Sequence, residues 1–220
     1  MKKKKLINYF NEFISEDRKK LLSKKLSNRT KHVTIVLEDV YQSRNISACI
    51  RSADCFGVQD IHVIENRNQY EHDSEVSLGS EKWITLNRYN SEKNNTRNTI
   101  EILKRKDYQI IATTPHTEHA IEDIDTNRKI ALLFGSENDG LSDEAIKLSD
   151  MQIKIPTIGF AESLNISVSV AIFLHYITSK IKYKKIWKMN HEEYEEVLLQ
   201  WLRNSIKSAD KIEELFYKKN

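Results

Sequence analysis

Cysteine is scarce: the 220-residue chain has two, Cys49 and Cys55. Six apart on one predicted helix, they suit neither a disulfide framework nor a zinc cluster, and both read as small packing residues. Long apolar runs are missing as well. The longest, from Val168 to Ile177, is interrupted by Ser169 and His175 and falls short of the roughly 20 residues that a membrane span needs. Behind the basic cluster of residues 1–10 no apolar stretch follows, because Asn8, Asn11, Glu12, Glu16 and Asp17 intervene. A secretory signal is therefore not expected, and the chain is expected in the cytoplasm. The dinucleotide fingerprint GxGxxG and the phosphate-loop ending G-K-[ST] are both absent, which argues against a small-molecule nucleotide enzyme. The seven histidines show no ligand spacing. His116 and His119 stand three apart without a third partner, so no metal is expected.

What the chain does contain is 39% hydrophobic and 30% charged residues, enough for one well-buried core with appendages and too little for two ordinary domains. Its net charge of +3 is unevenly placed. Residues 1–31 hold eleven Lys and Arg against three acids, residues 180–220 hold ten against seven, and the stretch between carries a net −8. Basic ends on an acidic body suit a polyanion held by the extensions while chemistry takes place in the body; a lysine-rich helix that is merely solvated is the plainer alternative.

From Ile14 to Leu26 the spacing predicts an amphipathic basic helix with Leu21, Leu22 and Leu26 on one face. Val33 to Leu37, Ile61 to Ile64, Tyr108 to Thr113, Lys129 to Phe134 and Met151 to Ile155 read as buried strands, with Trp83 to Leu86 as a further short run. Residues 45–56, 96–106 and 165–181 read as helices, and Ser142 or Asp143 caps another. Strands alternating with helices predict an α/β fold, a mostly parallel sheet with helices on both faces and extra helices at both termini. Tyr194, Val197, Leu198, Trp201 and Leu202, continuing through Ile206, Ala209 and Phe216, predict one C-terminal helix. Its apolar face needs a partner, in the same body or in a second subunit. The expected division is a basic helical extension over 1–32, the main domain over 33–180 and a C-terminal helical extension over 181–220.

Three strips put small or polar residues at the end of an apolar run, the place where α/β folds bind ligands. They are Asn45 to Gly57 (NISACIRSADCFG), Ala131 to Leu141 (ALLFGSENDGL) and Ile155 to Val170 (IPTIGFAESLNISVSV). In the first, Asn45 stands where a helix would begin, and Arg51 lies among Ile50, Ala53, Cys55 and Phe56. A guanidinium emerging from a mostly buried helix needs an anionic partner. That partner is either Glu38 or Asp54 in a structural ion pair, or a nucleic-acid phosphate. In the second strip Gly135 and Gly140 permit close backbone approach, while Glu137 and Asp139 would repel phosphate and tolerate a cation such as a sulfonium. The same segment also reads as an ordinary acidic turn. In the third, Ser163 or Asn165 caps the following helix, and the pair flanking Leu164 forms a lip where an adenine packs while amides read its edge.

In order and separation these strips, within Val33 to Ile177, resemble the three motifs of the SpoU/TrmH family of RNA ribose 2′-O-methyltransferases, and Ser163-Leu164-Asn165 matches letter for letter. The resemblance implies S-adenosylmethionine as methyl donor, held by Thr113, Gly135, Ser136, Glu137, Asn138, Asp139, Ile155 and Leu164. It implies a reaction centre of Asn45, Arg51, Glu137, Ser163 and Asn165, with Arg51 activating the 2′-hydroxyl. A guanidinium stays protonated far above neutral pH, so the physically easier role for Arg51 is to hold a phosphate and stabilise charge on the attacking oxygen. The resemblance further implies a C-terminal trefoil knot and a homodimer that shares the site. Local wording and length look most like members acting on guanosine 18 of the tRNA D-loop. Ribosomal RNA as substrate, or a non-catalytic RNA-binding protein of the same fold, are the alternatives. Arg18, Lys19, Lys20, Lys24, Lys25, Arg29 and Lys31 are expected to grip RNA phosphates.

Overall fold

In the computed structural model, which describes residues 2–219, the strands in chain order are β1 (Val33–Glu38), β2 (Asp60–Ile64), β3 (Thr85–Tyr89), β4 (Tyr108–Thr113), β5 (Lys129–Phe134) and β6 (Met151–Ile153). The helices are α1 (Lys2–Asn11), α2 (Glu16–Leu26), α3 (Ser43–Cys55), α4 (Ser74–Ser77), α5 (Asn95–Arg105), α6 (Asp143–Leu148), α7 (Ile166–Ile181), α8 (His191–Ser205) and α9 (Ala209–Lys219). The chain divides into two units, residues 30–187 and a second assembled from residues 1–29 and 188–220.

The first unit is built on β1, whose six residues are all buried. Such a run lies inside a sheet covered on both faces. It pairs in parallel with β2, Ile35 opposite Ile61, and with β5, Ile35 opposite Leu132. Every pairing between these strands is parallel, and the order is β3-β2-β1-β5-β4-β6. Alternation along β1 sorts the helices. Val33, Ile35 and Leu37 face Ile46, Cys49, Ile50 and Ala53 of α3 and Val170, Phe173 and Leu174 of α7. Val36 faces the other way, toward Ile100 and Leu103 of α5 and Ala145 of α6. The expected α/β architecture, with helices on both faces, follows from this period of two.

The second unit buries Leu6, Ile7 and Phe10 of α1, Leu22 and Leu26 of α2, Val197, Leu199, Trp201 and Leu202 of α8, and Phe216 of α9. Arg203 binds Glu213 through two nitrogens, both at 2.7 Å. The two terminal stretches, read from sequence as separate extensions, therefore share one core. No helix among the described residues is long and apolar enough to cross a membrane.

Several boundaries differ from the sequence expectation. The four lysines that open α1 conceal its apolar face, so this helix was not expected. Leu21 is 44% exposed, which leaves Leu22 and Leu26 as the buried stripe of α2. Ser208, at a φ of +58°, breaks the expected single C-terminal helix into α8 and α9. Cys49 is buried as a packing residue, whereas Cys55 is exposed on the outer side of α3 and packs nothing away from solvent. β3 begins at Thr85 rather than Trp83, and β6 ends before Ile155.

At the end of β1 the buried carboxylate of Glu38 accepts from Thr96 Oγ1 (2.5 Å), Ser142 N (2.9 Å) and Ser142 Oγ (2.8 Å). Strand, α5 and the α6 cap are thereby tied at one point. Glu38→Ala orphans three donors, and we expect a loss of about 3 kcal/mol. The check is urea unfolding, read as a lower midpoint at unchanged slope; a midpoint equal to wild type contradicts it.

Candidate active site

From β1 the chain lays down β2 and β3 toward one edge of the sheet, then resumes on the other side of β1 with β4, β5 and β6. The order switches beside β1 and β5, and ligands bind outside the carboxyl ends of strands at such a point. A cavity of about 760 Å³ opens from the β5 side of that point toward β4 and β6, lined by residues 113–116 at the end of β4, 134–141 at the end of β5, 152–155 from β6 onward and 162–166 at the start of α7. That volume suits a medium-sized organic ligand.

The loop after β5 closes as a tight hairpin. Ser136 N donates to Gly140 O, Gly140 N donates to Ser136 O, both at 3.0 Å, and Asp139 N donates to Ser136 Oγ at 3.1 Å. A Cβ on Gly135 would stand 2.0 Å from the carbonyl carbon of Gly140, so no side chain is tolerated there. The tip presents Glu137, Asn138 and Asp139.

Glu137 accepts from Tyr41 N (3.0 Å), from Gln42 N (3.4 Å) and from Asn45 Nδ2 (2.6 Å). Desolvation alone would raise its pKa, but the bond from Asn45 and those from backbone amides outweigh it and hold the carboxyl below its ordinary value. It is ionised throughout the neutral range, and the charge that anchors these bonds is lost only as pH falls through the lowered pKa. Asn165 caps α7 by accepting from Ser167 N at 2.8 Å, and its Nδ2 donates to Asn45 Oδ1 at 3.3 Å. One residue from each of the three strips thus joins a single chain, Asn165 to Asn45 to Glu137.

On the other side of the hairpin Asp139 Oδ2 accepts from Arg67 Nη1 at 3.1 Å. Arg67 Nε also reaches Asp39 Oδ2 at 3.4 Å, and Asp39 Oδ1 accepts the amides of Asn66 (2.8 Å) and Arg67 (2.7 Å). The donors to Glu137 and Asp139 therefore grip the hairpin from both flanks.

Of the residues expected around a donor, Thr113, Gly135, Ser136, Glu137, Asn138, Asp139, Ile155 and Leu164 all line the cavity, together with Ser163 and Asn165. Thr113 Oγ1 donates to Leu133 O at 2.7 Å, so its hydroxyl belongs to the sheet. Asn45 stands behind the wall, joined to it through Glu137. Arg51 does not line the cavity. It is exposed on α3 and makes no hydrogen bond or ion pair among the described residues, which corrects the expected burial. The structural partners considered for it are engaged elsewhere: Glu38 as above, and Asp54 Oδ2 as acceptor from Ser80 Oγ at 3.1 Å.

Among the basic residues, Lys20, Lys24 and Lys25 are exposed, while Arg18 and Lys19 are half-buried. Arg29 and Lys31 are corrections. Arg29 is 7% exposed, its guanidinium 5.3 Å from the centre of the Trp201 ring, and Lys31 forms a largely buried pair with Asp60 at 3.4 Å. Neither presents a charge to solvent as the lysines of α2 do.

The Tyr41 and Gln42 amides and Arg67 escape a sequence reading. The first two follow β1, where the strand-end rule points, but amides carry no side-chain signal. Arg67 meets its partner 72 residues away, and nothing local marks it.

A model of the SpoU rRNA methylase family matches residues 32–175. The chain is 37% identical over 213 residues to a protein named tRNA (guanosine(18)-2′-O)-methyltransferase in Borreliella burgdorferi, covering 96% of each. It is 30% identical over 193 residues to the protein of that name in Thermus thermophilus, covering 86% of this chain and 97% of the other. Its fold is similar to the crystal structure of an A. aeolicus TrmH/SpoU tRNA modifying enzyme, with a TM-score of 0.77 and 26% identity over 88% of this chain and 98% of that one.

Two outcomes follow from the geometry. Asn45→Ala deletes the strongest of the bonds that lower the Glu137 pKa, so carbon-detected NMR of that carboxyl should give a higher titration midpoint than in wild type. Gly135→Ala forces the hairpin open, and hydrogen exchange should show the amides of Ser136 and Gly140 losing protection while those of β1 keep theirs.

Proposed function

This chain belongs to the SpoU rRNA methylase family, and we propose from that premise that it is an S-adenosylmethionine-dependent tRNA (guanosine-18) 2′-O-methyltransferase. One observation carries the reading: Asn45, Glu137 and Asn165, brought from three separate strips, meet beside a cavity whose floor excludes a side chain at Gly135.

The residues present fit the donor. Gly135 and Gly140 let a ligand approach the backbone closely, and Glu137, Asp139 and Glu162 line the cavity with charge that suits a sulfonium and disfavours phosphate. Bound there, S-adenosylmethionine supplies a methyl group on positively charged sulfur for in-line displacement by the ribose oxygen. Thr113, the 135–139 hairpin, Ile155 and Leu164 hold it. Glu137, Ser163 and Asn165 orient the hydroxyl, with Asn45 behind them holding Glu137 and Asn165 in place, and orientation of this kind recovers on the order of 7 to 11 kcal/mol of barrier. Arg51 stays protonated, binds the neighbouring phosphate and stabilises charge on the oxygen, whose proton leaves to phosphate or water.

Arg51 lies off its own cavity, and Val168 and Ile172 leave an apolar stripe on α7 at 46% and 37% exposure. Both support a homodimer in which this face is covered and Arg51 completes the partner's site. The chain leaves β6 at the sheet's edge and comes back to pack α7 against α3, two strands and more away; that return path supports the trefoil knot. The unit of residues 1–29 and 188–220 holds sixteen Lys and Arg against ten acids. Lys20, Lys24 and Lys25, with Arg18 and Lys19, grip tRNA phosphates there, an affinity that weakens as salt rises. A tRNA substrate supports a cytoplasmic location.

The test is methyl transfer from labelled donor to an unmodified tRNA transcript, with ribosomal RNA fragments in parallel, and mapping of the product by reverse-transcription stops at low nucleotide concentration. A stop at guanosine 18 is expected. Arg51→Ala should lower turnover by roughly 10², the scale of losing one charge-stabilising group. Unchanged turnover removes Arg51 from the mechanism.

A further inference from the structure

Between β1 and α3 the chain reads Asp39-Val40-Tyr41-Gln42. Asp39 takes a left-handed φ of +48°, held by the bonds its carboxylate accepts from the loop of Asn66 and Arg67. Val40 then turns into the core at 3% exposure, and Tyr41 turns outward at 67%. The backbone of Tyr41 is pinned by its amide bond to Glu137 Oε2 at 3.0 Å. Its hydroxyl has no partner among the described residues. A rigid mount thus carries an aromatic ring that contributes nothing visible to the fold.

Single exposed apolar side chains are ordinary on protein surfaces. What separates Tyr41 from Leu78 or Tyr183, also exposed, is its place. Its own amide binds the carboxylate that binds Asn45, and Asn45 binds Asn165 at the rim of the cavity.

We propose that Tyr41 is the stacking platform for the base of the nucleotide whose ribose is methylated, an inference that rests on the activity proposed above. The reacting oxygen is bonded to C2′, and the base is carried by the adjacent C1′. An oxygen brought to Glu137 leaves its base a few bonds away, and Tyr41, whose amide binds that same carboxylate, carries an exposed ring on the adjoining segment. An RNA base is read once it is drawn out of its own stack, and an aromatic ring replaces the lost contact. Tyrosine suits this because it offers a large face with few torsions to freeze. Stacking tolerates every base, so Tyr41 supplies affinity and orientation of the nucleoside, while choice among bases falls to other groups.

Four variants of the full-length chain test it: Tyr41→Ala, Tyr41→Leu, Tyr41→Phe and Tyr41→Trp. All keep the backbone bond to Glu137, and none removes a buried side chain, so folding is preserved and is confirmed by melting. With labelled donor and unmodified tRNA, we expect Ala and Leu to raise the KM for tRNA roughly tenfold or more, the scale of one lost base stack. Phe and Trp should stay within about threefold of wild type, on the same scale. Affinity for S-adenosylhomocysteine, measured by calorimetry, should be equal in all five proteins. Wild-type KM and kcat in the Ala variant overturn the platform, and so does a Leu variant that performs as well as Trp, since that would mean apolar contact without stacking. If the wild type itself methylates no tRNA, the proposed activity fails and the platform falls with it; a wild type that methylates beside unchanged variants sinks the platform alone.

Discussion

A single carboxylate joins parts of the chain that are far apart in sequence. Glu137 receives backbone bonds from the loop after β1, 96 residues earlier, and a side-chain bond from Asn45 on α3. Through Asn45 it is linked to Asn165, the residue that starts α7. These donors outweigh the desolvation that would raise its pKa and hold it below the ordinary value, so the carboxylate that joins the strips stays charged. Glu137 reaches this position only through the hairpin that brings Gly135 against Gly140. The geometry of the cavity wall therefore depends on one missing side chain and one ionised group.

That junction stands on a second, buried one. Glu38 ties the end of β1 to the start of α5 and to the cap of α6, and the next residue, Asp39, carries the loop that holds Arg67. The site is thus fastened to the sheet by two successive acids, one facing the core and one facing the rim. The apolar packing on both faces of β1 makes this possible, since parallel strands buried on both sides leave their carboxyl ends as the natural place for polar groups to converge.

The legibility of this protein from sequence varied with burial. β4 and β5 were readable to the residue and β1 to within one, because each centres on a buried apolar run with polar ends. β3 and β6, half-buried or short, drifted by about two residues from where their apolar letters begin and end. α1 was missed because four lysines precede Leu6, Ile7 and Phe10, and the break at Ser208 was missed because Ile206 and Ala209 prolong the helical period across it. In the site, Glu137, Asn165 and the glycines were legible as residue types in sequence strips. Tyr41 and Arg67 were not, since one acts through its backbone and the other through a partner far along the chain.

Local pattern determined what repeats or abuts in the chain: the strands, the main helices, the three strips and the family they belong to. Those signals are carried by neighbours within a few residues, where period and spacing have direct physical meaning. Tertiary structure alone decided which charges are partnered. It turned Arg51 outward, laid Arg29 over Trp201 and closed Lys31 on Asp60. The reason is that a side chain's partner is set by strand order and by the return of distant segments, and a list of residues, however regular, contains no distances across the sheet.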